Sequence, residues 1–281
     1  MIGSTLHLLI GPPPPAARPS PEGTGLVTPA AASMYDLDIA DFGYTGFWTG
    51  SPTPVVPVYT FTYKPHDVIL NSKPLCQPTT EAGSVSFSGT ALIFRGDRYD
   101  ATHKTVSETG AGDTWFNIAC AGTAVAKMHL LRHTFAGTDP GAPAATVGQR
   151  QAVLKMLTGD YCGTGAAFTE TGHRLLYSYY QPGWDRTQPV PFQPWNALEA
   201  PPTPPPARSL DAIWGPDGAV CVDEARLEST SPNQRVNIDF ECELNRHRML
   251  KPCSPRTAED AALLTTLWGW APRGYVISAN E

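Results

Sequence analysis

Gly159-Asp160-Tyr161-Cys162-Gly163, read together with Cys120-Ala121-Gly122-Thr123-Ala124-Val125-Ala126-Lys127, decides the fold class of this chain. In each run a cysteine meets the end of a helix. The spacing of Ala124, Val125, Met128 and Leu131 predicts a helix over about 122–133, fed by a strand over Thr114 to Ala119. Thr146 is an N-cap for a second helix, Val147 to Thr158, with Val147, Val153, Leu154 and Leu157 as its stripe. Gly159 ends that helix in the left-handed conformation.

Working outward, the flanks are β-patterned. Val55 to Tyr63 alternates, with Tyr59, Phe61 and Tyr63 on one face and Val58, Thr60 and Thr62 on the other. Ser84 to Phe94 is a further strand, followed by a turn at Gly96-Asp97. Arg95-Gly96-Asp97 spells an adhesion tripeptide, but a turn is the simpler reading of three residues. On the other side, Arg174 to Tyr180 is a strand, and Ala212–Trp214 and Ala219–Val222 flank a hairpin turn at Gly215-Pro216-Asp217-Gly218. Arg235 to Glu241 alternates as a strand, Thr257 to Trp268 reads as a C-terminal helix, and Tyr275 to Ser278 as a closing strand. The order β-rich, helix pair, β-rich predicts an α+β fold, a β-rich body with a central helix pair and a C-terminal helix.

Composition bounds the function. In 281 residues, 41% are hydrophobic and 16% charged, the latter below the usual ~25%. The net charge of −6, with seven scattered His, leaves no basic patch for nucleic acid. No apolar run approaches the ~20 residues of a membrane span. Residues 1–33 are rich in proline, with Pro12-Pro13-Pro14-Pro15 at their centre, and read as a leader or linker that buries nothing. Residues 34–281 read as one domain. Met1 to Gly11 is apolar in part, but lacks a preceding Lys or Arg and is short for a signal peptide. An even count of six cysteines without any Cys-x-x-Cys pair favours disulfides over a zinc site, and disulfides lead to the expectation of an extracellular, periplasmic or cell-surface location.

Trp115-Phe116-Asn117-Ile118-Ala119-Cys120-Ala121-Gly122, Lys127, Asp160-Tyr161-Cys162-Gly163 and Trp214 through Cys221 resemble the ADYC-domain family of exported bacterial proteins. Leu75-Cys76 and Ile277-Ser278-Ala279-Asn280 extend the likeness over roughly residues 35–281, and Gly159 departs from the Ala of the family's run. The resemblance implies export or a surface location and recurring cysteines, with no activity attached.

Pairing is expected to follow spacing. Cys242 and Cys253, eleven residues apart, would close a local loop, antiparallel helices would join Cys120 to Cys162, and Cys76 would then take Cys221. Against this stands a catalytic alternative. Cys120 at a helix N-terminus, His173 at a strand start and Asp185 beyond it have the order of a cysteine-nucleophile hydrolase or acyltransferase. His129 and His133 have the four-residue spacing of a zinc helix, although Leu130 stands where the Glu of His-Glu-x-x-His would be. Asp160 is read as an acceptor in a tight turn, or as an orienting acid for His173 or Arg98. Tyr179, Tyr180, Trp184 and Trp195 could form a platform for a peptide or glycan, or pack against prolines. Gly110-Ala111-Gly112 is no phosphate loop, and no cofactor is expected. The reading is an exported, disulfide-stabilised binding or structural module at the cell surface or outside the cell.

Overall fold

The structure is a computed structural model that describes residues 6–10, 33–46, 55–65, 71–77, 89–108, 116–131, 133–134, 146–169, 175–179, 193–194, 209–226, 233–246, 249–253 and 276–280. Among the described residues there are two antiparallel sheets, a small hairpin and three helices. The first sheet holds β1 (Leu6–Ile10), β2 (Ser33–Gly46), β3 (Val55–Pro65), β5 (Thr90–Arg95) and β8 (Phe116–Cys120) in that order, and β4 (Lys73–Pro74) pairs with β3. β6 (Arg98–Asp100) and β7 (Thr105–Ser107) form the hairpin. The second sheet has the order β10 (Gln193–Pro194), β9 (Leu175–Tyr179), β13 (Val276–Asn280), β11 (Ser209–Gly215), β12 (Gly218–Val222). The helices are α1 (Ala124–Leu130), α2 (Val147–Thr158) and α3 (Gln234–Arg246). Every strand pair among the described residues is antiparallel, in keeping with an α+β fold.

Local chemistry explains the central helix. Thr146 and Gln149 form a reciprocal capping box at the start of α2, and Gly159 closes it at φ 61°. Its burial is wider than a stripe. Arg150, Gln151, Ala152, Val153, Leu154, Lys155 and Met156 are all buried, because α1 packs on one side and β7, β11, β12 and β13 on others. Val147, expected on the inner stripe, is exposed. The main core joins α1 and α2 to both sheets through Leu92, Phe94, Met128, Leu131, Met156 and Trp214, among others.

Several elements depart from their sequence expectations. α1 is seven residues long and stops at Leu130, since the His133 amide turns back to the Met128 carbonyl at 2.8 Å and closes the last turn. Arg235 to Glu241 is helical, within α3. Val236, Ile238 and Phe240 fit a two-residue period over a short run, but the residues buried are Gln234, Ile238 and Cys242 at four-residue spacing. Leu6–Ile10, read as leader, is β1 and pairs with Ser33–Leu37. The closing strand, β13, lies inside the second sheet between β9 and β11. The helix expected at Thr257 to Trp268 lies outside the described residues.

Candidate functional site

Asp160, Tyr161 and Cys162 follow α2 directly, and all three are fully buried. Each side chain ties α2 to a different part of the molecule. Asp160 Oδ2 accepts from Lys155 Nζ at 2.6 Å and from the Gly165 amide at 3.0 Å. Lys155, buried as well, also donates to the His103 carbonyl at 2.8 Å, which pins the β6–β7 turn. Among the described residues the partners of the Asp160 carboxylate are thus Lys155 and the Gly165 amide, and His173, read as its possible partner, lies outside the described residues. A buried ion pair of this kind is held by geometry and costly to break from either side.

Tyr161 reaches the second sheet. Its hydroxyl donates to Asp211 Oδ1 at 2.5 Å and accepts from the Arg226 amide at 2.9 Å. Asp211 Oδ2 accepts from Arg226 Nε at 3.0 Å and from Ser278 Oγ at 2.7 Å, and Ser278 Oγ accepts from Trp214 Nε1 at 2.7 Å. The Tyr161 ring lies 4.8 Å from Trp214, over which the Arg226 guanidinium sits at 5.2 Å. Burial, with Asp211 adding to it, holds the Tyr161 phenol well above its ordinary pKa, so it stays a neutral donor.

Gly163 completes the run at φ 71°, where a Cβ would lie 2.1 Å from the Asp217 carbonyl oxygen. Only glycine lets the motif lie against the β11–β12 turn so closely. The Ala219 amide donates to the Tyr161 carbonyl at 2.8 Å along the same seam.

Cys162 bonds Cys242 on α3, Cys76 bonds Cys120, and Cys221 bonds Cys253. This corrects all three expected pairings, Cys120–Cys162, Cys242–Cys253 and Cys76–Cys221. Successive strand residues face opposite ways. Ala119 enters the main core between sheet and helices, so Cys120 faces the other side of the first sheet, with Ala91, Phe61 and Cys76. The helix pair is therefore on the wrong side for Cys120. Cys242 is on the buried stripe of α3 facing Cys162, and Cys253 turns instead to β12, beside the Val222-to-Lys251 hydrogen bond.

Among the described residues no cysteine is free. Cys120 thus carries no thiol in this structure, and the nucleophile reading would apply only to a reduced form. Its proposed partners His173 and Asp185 lie outside the described residues, as do Tyr180, Trp184 and Trp195. Tyr179 is in β9, opposite Val276.

His129 and His133 do not share a helix face, because α1 ends between them. His129 stacks on Phe94 with centroids 4.2 Å apart, and its Nδ1 lies 2.9 Å from Thr134 Oγ1. Burial pushes both imidazoles down to about 4. No group of three or more His, Cys, Asp or Glu is arranged to hold a metal among the described residues. Asp97 of the adhesion-like tripeptide is buried, and Arg150 clamps it through Nε at 2.6 Å and Nη2 at 2.9 Å. It is a core ion pair under a turn.

Sequence reasoning missed the buried charges Arg150, Lys155, Asp211 and Arg226. A signal was present for two of them. A helix apolar on nearly every side, as Ala152 to Leu157 makes α2, must be buried, and its cations must then meet anions.

The fold and this centre define a disulfide-stapled α+β domain whose Asp-Tyr-Cys run is a structural junction. The ADYC domain matches residues 30–228, more than half of the chain, and the chain belongs to the ADYC-domain family. No curated protein and no solved structure matches it.

Proposed function

We propose that this chain is an exported binding or structural module that works at the cell surface or outside the cell. The observation that supports this reading is the use of its cysteines. All six are bridged, and each bridge joins segments 32 to 80 residues apart. Such bonds persist in oxidising compartments and are reduced in the cytosol. The motif residues support a non-catalytic role as well. Asp160 Oδ2, the Tyr161 hydroxyl and the Cys162 sulfur are engaged by Lys155, Asp211, the Arg226 amide and Cys242, inside the core.

Alkylation of intact producing cells, followed by fractionation and peptide mapping, tests the reading. The expected result is a protein outside the cytosol whose cysteines take no label before reductant. Six labelled thiols in the cytosolic fraction would overturn it. The same map tests the hydrolase or acyltransferase alternative, which needs Cys120 labelled in native protein and slower labelling in His173→Ala.

A further inference from the structure

The first sheet has two unlike faces. Residues opposite each other in an antiparallel pair share a face. The pairs Leu37–Tyr63, Ile39–Phe61, Phe42–Tyr59, Tyr59–Ala91 and Ala91–Cys120 therefore mark one continuous apolar face, turned away from the helices. The Cys76–Cys120 bond fastens Leu75 and Cys76 over its inner part, where Leu37, Phe61 and Ala91 are buried. The outer end is open. Ile39 is 51% exposed, Phe42 64% and Tyr44 65%, and the last two rings meet edge to face at 6.2 Å.

Among the described residues, the edge of β2 has no strand partner along the same stretch. β1 covers β2 only from Ser33 to Leu37. Beyond Leu37, β2 pairs with β3 alone among the described residues, and the Phe42 amide is taken by the Asp41 side chain at 2.8 Å. Open edges with apolar neighbours accept extended chains. β1, an apolar extended run (Leu6-His7-Leu8-Leu9-Ile10), already uses the first half of this edge in that way. The second half carries Asp38 and Asp41, and β2 has no Lys or Arg.

We propose that the Asp38–Gly46 edge of β2 captures an extended partner polypeptide in which apolar residues alternate with Lys or Arg. The partner adds a strand beyond β2, its apolar side chains land on Ile39, Phe42 and Tyr44, and its cations meet Asp38 and Asp41. The proposal rests on the binding reading above. That reading fails on the state of the cysteines in the cell, and this one fails on peptide binding, so the two failures are distinct.

The test uses the oxidised full chain and a fluorescein-labelled heptapeptide of alternating lysine and leucine, read by anisotropy. Binding at or below about 100 μM is expected, with weaker binding at high salt. Tyr44→Pro removes an edge amide, Phe42→Ser removes an apolar contact, and both are expected to weaken binding about tenfold or more with an unchanged melting temperature. Asp41→Lys is expected to lose that peptide and bind a glutamate–leucine heptapeptide instead. Phe240→Ser, on the exposed side of α3, is the control for general stickiness and is expected to change nothing. Absence of binding at 1 mM, or equal binding by the β2 variants, would overturn the proposal. A dimer in sedimentation that Tyr44→Pro dissolves would assign the edge to a second copy and overturn it too.

Discussion

The Tyr161 hydroxyl donates to Asp211 across 50 residues of sequence, at 2.5 Å and out of water. Among the described residues the Asp211 carboxylate accepts from Tyr161, Arg226 and Ser278, so its charge is compensated on both oxygens. Tyr161→Phe leaves the Asp211 oxygen and the Arg226 amide each short of a partner, and is expected to cost about 1–3 kcal/mol. Asp211→Ala strands a buried guanidinium and is expected to cost about 3–5 kcal/mol. Guanidinium unfolding of both single variants and the double variant measures the coupling, and additive losses would show that the two residues act independently.

Non-reducing peptide mapping is expected to recover Cys76 with Cys120, Cys162 with Cys242, and Cys221 with Cys253. The Cys162–Cys242 bond closes the longest loop, with a separation of 80. Removing it as a Cys162→Ala, Cys242→Ala pair is expected to cost about 2–5 kcal/mol, the largest loss of the three. Equal losses from all three pairs would count against loop entropy as the main cause.

Acid is expected to weaken the fold before its carboxylates titrate. His129 and His133 are held down to about 4 by burial, against 6.5 for the free side chain. Between those values the unfolded chain binds their protons and the folded chain does not. Stability from these residues is complete above about pH 6.5 and falls as pH drops toward 4. Each contributes on the order of 1–3 kcal/mol across that window. Denaturant midpoints measured from pH 7 to 4 should slope downward, and His129→Gln with His133→Gln should flatten the slope.

α3 makes a sharp contrast between two positions only two residues apart. Ile238 is 0% exposed and Phe240 is 68% exposed. Ile238→Ala is expected to cost about 2–5 kcal/mol and Phe240→Ser to stay within about 0.5 kcal/mol. Comparable losses at both would mean that the segment buries alternate residues, as a strand does.

Gly163→Ala places a methyl group 2.1 Å from the Asp217 carbonyl and forces a positive φ on alanine. A loss above about 3 kcal/mol is expected, since two rigid backbones must separate. Gly148→Ala, on α2, meets nothing closer than 3.5 Å and serves as the tolerant control.

Some elements were legible because their causes are local. Thr146, Gln149 and Gly159 are enough to start and stop α2, and its ends lie where those residues predict. Gly215-Pro216-Asp217-Gly218 is enough to turn β11 into β12. The family resemblance was carried by the same kind of short run, around Cys120, Cys162 and Cys221. α3 was misread because Val236, Ile238 and Phe240 alternate over a short run, whereas the residues it buries, Gln234, Ile238 and Cys242, follow the helical period, and Cys242 is held there by its bond to Cys162.

The sequence by itself determined that the chain pairs its cysteines, folds as α+β, and sets a glycine-closed helix before Asp160-Tyr161-Cys162. Only the tertiary structure decided which cysteine meets which, and where the buried charges Arg150, Lys155, Asp211 and Arg226 find partners. The reason is physical. Caps and turns are set by residues three or four apart, whereas a disulfide or a buried ion pair joins faces whose orientation follows from sheet register and helix rotation. Cys120 misses Cys162 because it points to one side of a strand and Ala119 to the other.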